Sequence, residues 1–100
     1  MSDASIIYWR DIPTQIVVGR GRKAIKHQLS DRFMVAVDKA AMTAGKTDTE
    51  AYLADWRKSP HPLENEDIGT ALTQLAKELE ASYPTSRLAK LARNGGSETQ

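Results

Sequence analysis

The chain has one hundred residues, a net charge of +1, 40% hydrophobic residues and no cysteine. That length is one domain, able to bury roughly two-thirds of its unfolded surface in a single core. Absent cysteine excludes disulfides, iron–sulfur clusters and thiolate zinc sites, and the near-zero charge gives no bulk attraction for nucleic acid.

The front of the chain reads as strand. Ile6, Ile7, Tyr8 and Trp9 are β-branched or aromatic, as are Ile16, Val17 and Val18, and such residues fit a pleated, half-buried surface. Pro13 cannot donate to a ladder, which puts it in the connection, and Asp11 suits the start of that turn. Alternation places Ile7 and Trp9 on one face and Ile6, Tyr8 and Arg10 on the other. On the second strand Ile16 and Val18 oppose Gln15 and Val17. Gly19 and Gly21 flank Arg20 and mark a second turn or bulge. A third strand over residues 23–29 would place Ile25, His27 and Leu29 on one face; a short helix is the competing assignment, since Lys, Ala and Gln are good helix formers.

Everything after Ser30 reads as helix. Ser30 is the N-cap of the first, with Asp31 in the opening turn. Phe33, Val37, Ala40, Ala41 and Ala44 make its core stripe, and Gly45 is its stop. Thr47 and Glu50 have the spacing of a capping box for a second helix running to about Arg57, with Tyr52, Leu53 and Trp56 as apolar contacts. Pro60 and Pro62 end that segment. Asn65 caps a third helix, whose stripe is Ile68, Leu72, Leu75, Leu79 and Tyr83. Pro84 stops it, and Thr85 opens a short last helix with Leu88 and Leu91 facing inward. The Gly-rich residues 94–100 read as a disordered tail behind a domain of residues 1–93. The fold class is therefore α+β: a three-stranded antiparallel N-terminal meander covered by three to four helices.

No run approaches the ~18 apolar residues of a transmembrane helix, and the first five residues lack a basic and an apolar region, so no signal peptide is expected and the cytoplasm is the default compartment. His27 and His61 have no second ligand at metal spacing, and no Gly-x-Ser-x-Gly elbow or Gly-rich phosphate loop is present. No catalytic residue, metal site or cofactor is therefore assigned. Residues 1–29 carry five basic and two acidic side chains, whereas residues 30–100 carry nine basic and eleven acidic. This asymmetry points to a basic docking rim made of Arg10, Arg20, Arg22, Lys23 and Lys26, suited to an acidic protein partner or another anion. Tyr8, on the face of Arg10, is an aromatic candidate for stacking with single-stranded nucleic acid, the alternative function; Trp9 is then core. The expected molecule is a monomer or weak homodimer that binds another protein.

The run Tyr8-Trp9-Arg10-Asp11-Ile12-Pro13 resembles the opening motif of a short bacterial domain family known as virulence factor, a domain that also occurs in the larger conserved virulence factor C proteins. Gly21-Arg22-Lys23, Arg32-Phe33, Asp38-Lys39-Ala40-Ala41-Met42 and Ala51-Tyr52-Leu53-Ala54-Asp55-Trp56-Arg57 extend the similarity. The family name describes a phenotype, and the resemblance implies no catalytic residue or cofactor. Small members look like companions of folate- and corrinoid-dependent methyl transfer. What the resemblance implies is an accessory protein, because no Asp-x-His-x-x-Gly corrinoid run is present here.

Overall fold

The computed structural model describes residues 4–19, 24–46, 48–63 and 67–97. The fold is α+β, as the sequence predicts, with four strands where three were expected. The elements are β1 (Ala4–Trp9), β2 (Ile12–Val18), β3 (Ile25–Gln28), α1 (Asp31–Thr43), α2 (Thr49–Ala54), β4 (Trp56–Pro60), α3 (Ile68–Ser82) and α4 (Thr85–Arg93). The sheet order is β3-β2-β1-β4, and every pairing is antiparallel. Residues 25–28 are thus strand, and the helical alternative for them falls.

The fourth strand replaces the expected end of the second helix. Trp56 pairs with Trp9 and Pro60 with Ser5, so the segment adds to the outer edge of β1. Arg57, Lys58 and Pro60 have little intrinsic strand preference; the free edge of β1 supplies the partner groups that decide their conformation. Proline is tolerated there because β4 is an edge. Exposed Arg57 and Lys58 blunt that edge against further pairing.

The first turn is also shorter than expected. Trp9 pairs with Ile12, leaving Arg10 and Asp11 as the two loop residues, and Pro13 lies inside β2 opposite Tyr8. The register then steps from Tyr8↔Pro13 to Ile7↔Gln15, which makes Thr14 the extra residue of a β-bulge. A proline costs least where the ladder is already interrupted. Thr14 is buried but satisfied: its hydroxyl donates to the Ile7 carbonyl at 2.9 Å, and its own carbonyl accepts the Leu29 N–H at 3.0 Å. Burial in β1 changes phase at this irregularity. Ala4 and Ile6 are buried before it and Trp9 after it, with Ile7 and Tyr8 half-buried between them. The strict alternation that grouped Ile7 with Trp9 therefore does not hold, because a bulge twists the pair and re-aims side chains.

α1 lies against β2, and α4 runs along α1. Phe33, Val37, Ala40 and Ala41 are buried on α1; Leu72, Leu75 and Leu79 on α3; Leu88 and Leu91 on α4. Ile12, Ile16 and Val18 close the same core from the sheet. Ser30 occupies the N-cap of α1 as expected, though its hydroxyl donates outward to Glu80 on α3 rather than capping its own helix. Gly45 (φ +72°) ends α1 as expected, where Lys46 and Gly45 donate back to Ala41 and Met42. Two helix starts are corrected. Asp48 is the N-cap of α2, which is only six residues long; Thr47 lies outside the described residues. Asp67, not Asn65, caps α3, accepting the Thr70 N–H; Asn65 and Glu66 lie outside the described residues.

The expected disordered tail is corrected for residues 94–97. The N–H groups of Gly95 and Gly96 donate back to Ala92 and Leu91, a paired C-terminal closure of α4 that requires positive φ at the first glycine. Both glycines are buried. Residues 98–100 lie outside the described residues.

Candidate interaction surface

The hairpin tip between β1 and β2 gathers polar contacts from distant parts of the chain. Arg10 has φ +54°, a left-handed conformation uncommon for a long side chain. Its Nε donates to Asp55 Oδ2 at 3.2 Å and its Nη1 to the Gly95 carbonyl at 2.9 Å. Its backbone N–H donates to the Asp55 carbonyl, and its carbonyl accepts Arg57 Nε at 2.9 Å. Next to it, the Asp11 N–H donates to the Gly96 carbonyl at 2.9 Å. Trp9 is fully buried, stacked on Tyr52, and donates its indole N–H to the Tyr52 carbonyl at 2.8 Å. One tight turn thus ties together the sheet, the end of α2 and the end of α4. Arg10 is a structural clasp, its guanidinium bonded to Asp55 and to the Gly95 carbonyl within the chain.

Lys26 is exposed on edge strand β3; Arg20, Arg22 and Lys23 lie outside the described residues. Tyr8 is half-buried, and the Arg57 guanidinium sits 4.4 Å from its ring centroid. That cation occupies one ring face, where a stacked base would have to lie.

A different surface stands out. Val35 and Met42 on α1 are 48% and 64% exposed, each about one turn from Lys39 on the same face. Beside them a groove between α1 and α4 is floored by Ala36, Leu88, Ala89 and Ala92. It continues past Lys39 and Arg93 to Met42 and Thr43 as a shallow depression of about 400 Å³. The charged side chains of α4 are Arg87, Lys90 and Arg93, with no carboxylate among them. Reading net charge by halves of the chain hid this. A window over residues 81–97, which hold three cations and no acid, would have shown it.

The perturbed ionisable groups among the described residues are Tyr52, Glu80 and Asp67, and none of them lines this groove. Burial pushes the Tyr52 phenol up, and the Asp38 carboxylate adds to the shift. For Glu80, burial would raise the carboxyl, but hydrogen bonds from the Ser30 N–H and hydroxyl, together with Arg32, outweigh it and hold it below the usual range. Arg32 Nη1 lies 2.8 Å from Glu80 Oε1 and fixes the start of α1 against α3. Asp67 is lowered by the hydroxyl and N–H of Thr70, a capping effect. Among the described residues, no group of three or more His, Asp or Glu side chains is placed to hold a metal ion, and no helix is long and apolar enough to cross a membrane.

Fold and surface together define a small α+β module that presents a helical face with exposed apolar side chains edged by cations. The family model described as Virulence factor matches residues 7–92, and the chain belongs to that family. No curated protein and no solved structure matches the chain. The matched span begins just before the Arg10 clasp and ends at Ala92, so it takes in the hairpin tip and most of the α1–α4 face but not Arg93, Gly95 or Gly96.

Proposed function

We propose that the protein is a non-catalytic, cytoplasmic interaction module that docks another protein through its α1–α4 face. One observation carries this reading: Val35 and Met42 stand exposed beside an apolar groove whose α4 wall bears only cations. Apolar side chains that recur along one helix face next to a groove suit a protein partner better than bulk solvent. The face replaces the sheet rim as the main contact. Lys26, with Arg20, Arg22 and Lys23 close in sequence, is kept as a secondary contact for the same partner. The accessory role beside folate- or corrinoid-dependent methyl transfer, implied by the resemblance, is the setting we propose for that partner.

The test is affinity capture from native cytosol with three baits: the unaltered chain, the double variant Val35→Glu/Met42→Glu, and Lys77→Glu, exposed on α3, as a surface control. Circular dichroism melts establish that all three are folded. A protein recovered by the unaltered chain and by the control, but lost with the double variant, supports the reading. Equal recovery by all three baits defeats it.

A further inference from the structure

Resting on that reading of the α1–α4 face, we propose that its partner presents an acidic amphipathic helix, which lies in the groove as a third helix alongside α1 and α4. The groove floor is made of Leu88 with Ala36, Ala89 and Ala92, and the three alanines are small enough to let a third helix axis approach closely. Val35 and Met42 form the ridge at its α1 edge. α1 has thirteen residues and α4 nine, lengths of about 20 and 14 Å at helical rise, so a partner segment of three to four turns fills the groove. Helix-in-groove docking buries such an apolar stripe along its length.

Charge sets the partner's chemistry. Lys39 and Arg93 both line the depression around Met42, one from each helix, and among the described residues neither is in an ion pair. Lys90 lies outside this groove, in a separate depression with Arg87, Leu91 and Asn94. Arg32 also borders the groove, but it is committed to Glu80. Asp38, exposed one turn from Val35 and from Met42, borders the far side of that ridge and lines neither depression. The partner helix therefore carries its carboxylates on the side that faces Lys39 and Arg93. A second copy of this chain is a poor occupant, since it would bring the same cations into the groove. A concave groove also favours a convex helix over a flat lipid surface.

The probe is a displayed library of helical peptides of about fourteen residues. An Ala/Leu stripe is held constant, the flanking positions are randomised, and the library is panned against the full chain. The expected winners carry Asp or Glu on one flank of the stripe and shift amide resonances on α1 and α4. Lys39→Glu/Arg93→Glu should weaken them about tenfold or more, and changing the peptide carboxylates to Lys should restore binding to that variant. Three outcomes overturn the proposal: winners with no acidic bias, winners indifferent to the charge reversal, or no peptide binding above a scrambled control. Phosphatidylserine-containing vesicles and oligouridylate run in parallel; tighter binding of either through Val35, Met42, Lys39 and Arg93 also overturns it. If the bait carrying Val35→Glu/Met42→Glu loses a native partner while no acidic helix is selected, the docking face stands and only the acidic-helix partner falls.

Discussion

Gly96 lies against the indole of Trp9, so close that a Cβ there would sit 2.8 Å from Cζ3 and 3.1 Å from Cε3. Trp9 is fully buried and held by Tyr52. The ring has nowhere to move, and the backbone at Gly96 has φ +93°. Gly96→Ala should therefore destabilise the fold by about 2–4 kcal/mol, combining left-handed strain with overpacking. Gly45→Ala is the control: it also has positive φ, but nothing lies within 4 Å of its Cβ. It should cost only about 1 kcal/mol. Urea unfolding of both variants measures the difference; equal losses would mean that the end of α4 does not pack on Trp9 as described.

Arg10 gives the second prediction. Arg10→Ala removes the bonds to Asp55 and Gly95 while keeping the left-handed backbone, and should cost about 1–3 kcal/mol. Arg10→Gly loses the same bonds but relieves the backbone, and should be less destabilising by about 1 kcal/mol. That order distinguishes a structural clasp from a docking residue. If both variants melt like the unaltered chain, Arg10 contributes nothing to the fold and returns to the list of partner contacts.

Much of this architecture is legible in the sequence, and the failures have physical causes. Phe33, Val37, Leu72, Leu75, Leu79, Leu88 and Leu91 declare their helices because a one-sided stripe at helical period has few other uses. β4 stayed hidden because Arg57, Lys58 and Ser59 carry no strand preference, and their conformation comes from the β1 edge, which is not local information. Gly95 and Gly96 suggested disorder by composition, yet the same backbone freedom lets them close α4 and approach Trp9. Tyr8-Trp9-Arg10-Asp11 was conspicuous as a motif, but its partners, Tyr52, Asp55, Gly95 and Gly96, are far away in the chain. At the surface, Lys26 is exposed as expected, whereas the α1–α4 face needed two helices to be set side by side before Lys39 and Arg93 could be seen to share a groove.

The third prediction concerns nucleic acid. Arg57 occupies one face of the Tyr8 ring, and the net charge of +1 leaves few phosphates to neutralise. Fluorescence anisotropy with single-stranded RNA or DNA should show no tight binding at physiological salt. Sub-micromolar affinity with a steep salt slope, lost on Tyr8→Ala, would restore the stacking reading and demote the protein partner.

The last prediction follows Glu80 into acid. Burial raises its carboxyl, but the Ser30 N–H at 2.7 Å, the Ser30 hydroxyl at 2.8 Å and Arg32 favour the charged form more strongly, so the folded value lies below the ordinary 4.5. A carboxyl with a lower folded than unfolded value releases its proton more readily when folded. Its contribution to stability is therefore complete above the ordinary glutamate range and is lost as pH falls from there through the folded value. Asp67, lowered by Thr70, acts in the same direction, so removing Glu80 flattens the acid limb without abolishing it. Glu80→Gln keeps the shape and one carbonyl acceptor but has no charge to lose. It should melt lower than the unaltered chain near neutral pH, and the gap should narrow steadily below about pH 4.5. Thermal melts from pH 7 to pH 3 provide the measurement. A gap that stays constant with pH would show that Glu80 contributes through packing alone, and that the Ser30–Glu80–Arg32 network does not join α1 to α3 electrostatically.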